Sequence, residues 1–129
     1  MYNYFRGIVT WIDENYIVLE VNNIGYEIYV ETPSMYTENK EILIYIHHHK
    51  TEKEDVLYGF NTFLEKDLFN KFLKIKGYGT KTVFNLFKKK GCLNILEMNE
   101  EELLSLPKIN TSNIKNIRKG WSNDHPFIF

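Results

Sequence analysis

The hydrophobic period of this chain changes near residue 62, and that change limits what it can fold into. Before it, "YFRGIVTWID", "YIVLEV", "YEIYVET", "EILIYIHHH" and "DVLYGF" are short runs rich in Val, Ile, Tyr and Phe. Turn-forming stretches separate them: Asp13-Glu14-Asn15, Asn22-Asn23 and the segment from Pro33-Ser34 onward. β-Branched and aromatic runs bounded by such turns read as strands. Five of them within residues 1–61 predict an OB-like five-stranded β-barrel. Gly7 and Gly25 fall inside or beside strands, where a tightly coiled barrel bends.

After residue 62, apolar residues recur at helical spacing. Thr62 and Glu65 have the T-x-x-E spacing of a capping box, and Leu64, Leu68, Phe69, Phe72 and Leu73 follow. Gly77 is expected to end that helix as a C′ glycine. Thr80 is expected to cap a second helix with Val83, Phe84, Leu86 and Phe87 on its apolar face. Asn99 can cap a third, whose first turn holds Glu100, Glu101 and Glu102, favourably placed against the helix dipole. A last helix begins near Thr111 and carries Ile114, Ile117 and Trp121. The expected fold class is α+β by segregated domains: a barrel over 1–61, a small all-α domain over 62–121 and a short tail over 122–129. "IKGYGTK" and "LPKINTS" both fall between helices, a faint internal echo.

The net charge of −1 averages two unlike halves. Residues 1–62 hold 4 Lys/Arg against 10 Asp/Glu, a net of −6, and residues 63–129 hold 12 against 7, a net of +5. An anionic partner would therefore bind the helical half. Cys92 is the single cysteine, which excludes an intrachain disulfide and fits a reducing compartment. The opening "MYNYFRGIVTW" lacks the apolar run of a signal peptide, and no segment approaches the ~18 apolar residues of a membrane span. A cytoplasmic protein is expected.

The stretch "KIKGYGTKTVFNLF" carries the chemistry. Gly77 and Gly79 permit positive φ and leave the backbone uncovered by side chains. The N–H groups of Gly79, Thr80 and Lys81 then lie at a helix N-terminus, where unpaired donors and the macrodipole favour an anion. Lys81 adds a flexible positive charge, and Thr80 and Thr82 add hydroxyls. Such a helix-hairpin-helix grips phosphate and does not read bases. The alternative is a mere inter-helix turn.

At this point the chain resembles the RuvA family, the Holliday-junction-binding subunits of the bacterial branch-migration complex. The resemblance is carried by "YFRGIVTWIDENYIVLEVNNIGYEIYV" with Arg6-Gly7 and Gly25-Tyr26, and by Leu57-Tyr58-Gly59-Phe60 followed by Gly77-x-Gly79-x-Lys81. It is strong over residues 1–87 and weaker to about 120. It implies an OB-like barrel, tandem helix-hairpin-helix motifs, assembly into a homotetramer on which an open four-way DNA junction lies flat, and no active site or cofactor. It also implies an ATP-driven partner, the RuvB motor, engaged by a third domain. Here only "SNDHPFIF" follows Trp121, too few residues to bury a core against the entropy of ordering, so coupling to the motor in the usual way is not expected.

The family's acidic pin should lie just before Val56-Leu57-Tyr58, within "KTEKEDV". Aligned without gaps from Tyr58, the acidic pair falls on Glu52 and Lys53, so its second member is reversed in charge. Glu54 and Asp55 can supply the missing charge after a local shift. Carboxylates near converging phosphates raise repulsion there; an ordinary solvated hairpin loop is the alternative.

The second hairpin departs from the family pattern. Leu106-Pro107 is followed by Lys108, Ile109, Asn110, Thr111 and Ser112, with both glycines gone. Asn110 can tolerate a left-handed conformation better than most residues. Lys108, Asn110, Thr111 and Lys115 remain as residual DNA contacts in a weakened grip, or the segment is a purely structural turn. Lys88, Lys89 and Lys90 either touch DNA or simply complement the end of a helix dipole. His47 and His49 share one strand face and His48 the other; nothing completes a zinc spacing, so no metal is expected. Cys92 reads as a small core residue. Two other readings compete with junction binding: a degenerate homologue with weak general DNA binding, and a helix-hairpin-helix DNA glycosylase or lyase. The second lacks an acidic residue close after the hairpin and the length to enclose a flipped base.

Overall fold

The protein is described by a computed structural model covering residues 2–119. Trp121 and the expected tail over 122–129 lie outside the described residues. The chain divides into two compact units, Met1–Thr62 and Phe63–Phe129.

The first unit is a closed barrel of β1 (Tyr4–Ile12), β2 (Tyr16–Val21), β3 (Ile24–Tyr29), β4 (Glu41–Lys50) and β5 (Asp55–Phe60), in the order β1-β2-β3-β5-β4. Neighbours pair antiparallel except β3 and β5, whose parallel seam joins Ile28 to Leu57 and Tyr29 to Tyr58. Alternation along each strand puts one face inside. Phe5, Val9, Ile17, Leu19, Ile28, Val30, Ile44 and Ile46 fill the interior. At Gly7 a Cβ would lie 2.3 Å from the Glu20 carbonyl oxygen, so only glycine lets β1 cross β2 this closely. A register shift between Val9 and Trp11 adds the local bend that closure needs.

The sequence places a strand over residues 26–32, whereas β3 runs Ile24–Tyr29. Asn22 and Asn23 have φ of 51° and 67°, the paired positive values of a two-residue hairpin turn. Pairing therefore starts at once, with Val21 opposite Ile24, and a single 3₁₀ turn at Pro33–Met35 follows.

The second unit holds α1 (Phe63–Leu73), α2 (Thr80–Lys90), α3 (Cys92–Glu97), α4 (Glu100–Leu104) and α5 (Thr111–Ile117). Phe87 makes edge-to-face contacts with Phe69 and Phe72, at centroid distances of 5.7 and 5.4 Å. Leu68, Val83, Cys92, Ile95, Leu103 and Ile117 are also buried. α3 has no counterpart in the sequence reading, because six residues are too few to show a period. Gly91, at φ +86°, separates it from α2: its N–H donates to the Phe87 carbonyl, and its carbonyl accepts from the Ile95 N–H. Asn99 and Glu102 form a full capping box on α4. Arg118 Nη2 donates to the Met98 carbonyl at 2.8 Å, fastening the end of α5 to the end of α3. Among the described residues, no helix is long and apolar enough to cross a membrane.

Candidate nucleic-acid interface

α1 ends at Leu73, four residues before Gly77, so Gly77 is not its C′ residue. The N–H groups of Lys74 and Ile75 first tighten onto the carbonyls of Lys71 and Phe72. Tyr78 N–H then donates to the Ile75 carbonyl at 3.1 Å, closing a four-residue turn. Gly77 is its third residue and has φ +95°, the position where a type II turn favours glycine.

Gly79, not Thr80, is the N-cap of α2, in extended geometry with φ −99° and ψ 171°. Its freedom is therefore of space, not of φ: a Cβ here would meet nothing within 4 Å. Glycine supplies no capping side chain, and none is present. Among the described residues, the N-terminal amides of α2, from Thr80, Lys81 and Thr82, have no side-chain acceptor beside an open approach. Lys81 and Thr82 are exposed and Thr80 is half-buried. Among the described residues Lys81 makes no ion pair. Bare amides, two hydroxyls and an unengaged ammonium suit an oxyanion. At the other end of α2, Lys88, Lys89 and Lys90 are exposed in the last turn, favourably placed against the dipole.

The same turn recurs 31 residues later. Ser105, Leu106 and Ile109 N–H groups repeat the bonds of Lys74, Ile75 and Tyr78, donating to the carbonyls of Glu102, Leu103 and Leu106. The buried positions also correspond: Phe72 with Leu103, Ile75 with Leu106, Tyr78 with Ile109, and Val83 with Ile114. The echo in the sequence is thus a repeated backbone conformation.

Two replacements distinguish the turns. Lys108 stands where Gly77 would, and it is Lys108 that takes the left-handed conformation, with φ 63°. Asn110, which tolerates that conformation better than most residues, is instead extended at φ −130° because it stands in the position of Gly79 and caps α5. Asn110 Oδ1 accepts from the Asn113 N–H at 2.8 Å, and Asn113 Oδ1 accepts from the Asn110 N–H at 2.9 Å. This box closes two amides whose counterparts in the first turn have no side-chain acceptor. Lys108 Nζ donates to the Gly77 carbonyl at 2.9 Å. Thr111 and Lys115 are exposed on the seven-residue α5. The Tyr78 hydroxyl donates to the Pro107 carbonyl, and burial raises its pKa.

In the barrel unit, Glu52, Glu54 and Asp55 lie at the β4–β5 connection, all exposed. Thr51 organises it: its N–H donates to the Glu54 carbonyl, and its hydroxyl accepts from the N–H groups of Lys53 and Glu54. Two of the three carboxylates meet imidazoles on β4. His48 Nε2 lies 2.6 Å from Asp55 Oδ1, and His49 Nε2 lies 3.4 Å from Glu54 Oε2. The His48 bond holds the Asp55 carboxyl below its ordinary pKa. The three histidines thus belong to the hairpin stem, with His47 beside Tyr58. Among the described residues, no group of three or more His, Cys, Asp or Glu could hold a metal ion. The imidazole–carboxylate pairs and the Lys108–Gly77 bond were not foreseen, since cross-strand register and a 31-residue separation hide both contacts.

The RuvA N-terminal domain family matches residues 1–59. The barrel is a RuvA N-terminal domain. Relatives named Holliday junction branch migration complex subunit RuvA extend the similarity beyond the barrel. The protein of Lactobacillus johnsonii is 44% identical over 82 residues, covering 64% of this chain and 43% of its own. That of Exiguobacterium is 37% identical over 82 residues, covering 63% and 42%. That of Streptococcus equi subsp. zooepidemicus is 34% identical over 115 residues, covering 84% and 58%. The chain spans about half the length of these RuvA relatives.

Proposed function

We propose that this chain binds four-way DNA junctions through backbone phosphates, as a non-catalytic subunit of a branch-migration complex. The observation that carries the reading is the uncapped glycine turn at the start of α2, in a chain whose barrel matches the RuvA N-terminal domain family. Gly77, Gly79, Thr80, Lys81 and Thr82 are its principal contacts, in a helix-hairpin-helix arrangement of α1 and α2. The second turn is a weaker companion: its glycines are replaced and Asn110 is used in capping, which leaves Thr111 and Lys115 for outlying contacts. Glu52, Glu54 and Asp55 serve as the acidic pin, repelling phosphates where strands converge.

One strong contact per chain gives little affinity, so several must act on one particle. A homotetramer, free or formed on the junction, meets that need. Light scattering with and without junction DNA checks it; a monomer in both conditions that still bound tightly would oppose it. The relatives are named as subunits of a branch migration complex; an ATP-driven motor as the further subunit is what the family resemblance implies, and adding such a motor, ATP and a synthetic junction tests it. The reading as a whole is tested by mobility shift. Four-way junctions should be retarded at concentrations that leave linear duplex of the same sequence free. Equal retardation would reduce the chain to a general DNA binder.

A further inference from the structure

We propose that the two turns make one phosphate grip, in which Lys108 is a positioning residue of the first turn and not a second DNA contact. This rests on the reading that the first turn holds backbone phosphate.

The second turn is poorly equipped to hold an anion by itself. Its Asn110 and Asn113 amides are bonded to each other's side chains, and α5 has only seven residues. Lys108 departs from what the turn prefers, because a side chain at φ 63° costs about 1 kcal/mol relative to glycine.

The direction of the Lys108 side chain shows what that conformation achieves. Its ammonium reaches the Gly77 carbonyl at 2.9 Å and lies 6.0 Å from the Tyr78 ring centroid. Its Cδ and Cε pack where a Gly77 Cβ would stand, at 2.9 and 3.3 Å. In return, the Tyr78 hydroxyl donates to the carbonyl of Pro107, the residue before Lys108. Consecutive residues of the first turn are thus tied to consecutive residues of the second.

Two consequences favour an anion at the first turn. Gly77 is one of the two glycines that give the turn its backbone freedom, and fixing it in advance lowers the ordering cost of binding. The Gly77 carbonyl, an acceptor that would repel a phosphate, is also covered by a positive charge. Lys108 acts through Gly77 in both.

The experiment uses the whole chain, a four-way junction, and the variants Lys108→Met and Lys108→Gly, alone and with Lys81→Ala. Lys108→Met keeps most of the stem and loses the ammonium. It should weaken binding about tenfold and speed hydrogen exchange at the Tyr78 and Val83 amides, which are bonded to the Ile75 and Gly79 carbonyls. In the Lys81→Ala background its effect on affinity should shrink, because both act on the same phosphate. Lys108→Gly relieves the left-handed strain yet should also bind more weakly than the natural chain. The proposal is overturned if Lys108→Gly binds as tightly or more tightly. It is equally overturned if Lys108→Met leaves exchange unchanged while lowering the salt slope by about 0.9, additively with Lys81→Ala, as an independent phosphate contact would. If the natural chain fails to bind junctions, the reading of the site falls; the exchange rates still decide whether Lys108 holds the first turn.

Discussion

The Tyr78 hydroxyl and the Pro107 carbonyl, 29 residues apart, are joined by a hydrogen bond that couples the two repeated turns. The Tyr78 ring is buried and lies 5.8 Å from Phe72 between ring centroids, so Tyr78→Phe removes the bond and keeps the packing. The expected loss is about 1 kcal/mol, read by denaturant unfolding. The tyrosine also sets an alkaline limit. Its pKa is raised by burial, so its contribution is complete below the ordinary value of about 10 and lost as pH rises through the higher folded value. Melting across that range should show a smaller alkaline drop in Tyr78→Phe than in the natural chain.

Gly77 and Gly79 should separate under the same substitution. Gly77→Ala places a methyl at positive φ, 2.9 Å from Lys108 Cδ, and should cost roughly 1–2 kcal/mol of stability as well as DNA binding. Gly79→Ala adds a methyl into open space at an ordinary φ, so its cost should be limited to alanine's poorer N-cap preference, about 0.5–1 kcal/mol. Binding should still fall, since the methyl stands where a phosphate would approach the amides. Paired melting and junction-binding measurements check this. Undiminished binding by Gly79→Ala would argue against close backbone approach.

His48 and Asp55 give a second pH-dependent element, in the barrel. Because the folded carboxyl is held below its ordinary range, its stabilising contribution is present above about pH 4 and lost as pH falls through the lowered value. In His48→Phe the Asp55 titration, followed by carboxyl NMR, should move upward to the ordinary range. An unmoved titration would mean that the pair does not form in solution.

The barrel was legible where alternation runs uninterrupted, as in β2, with Ile17 and Leu19 inside. It was misread at β3 because Asn22 and Asn23 form a tight hairpin, so pairing begins two residues before the expected strand. The apolar faces of α1 and α2 were visible in their spacing, but α3 was not, being a six-residue helix after Gly91. In the candidate site, Gly77 and Gly79 marked the right turn for partly wrong reasons. Gly77 supplies positive φ inside the turn, and Gly79 supplies an empty cap. The repeat stayed faint because the turns share conformation and buried positions, while Lys108 and Asn110 replace the glycines that would reveal it.

The most direct test of the backbone grip is the salt dependence of junction affinity in the natural chain and Lys81→Ala, on two junctions of different sequence. The account predicts weaker binding by the variant and a salt slope lower by about 0.9 per lost phosphate contact, equally on both sequences. Identical affinity and slope in the two proteins would contradict it.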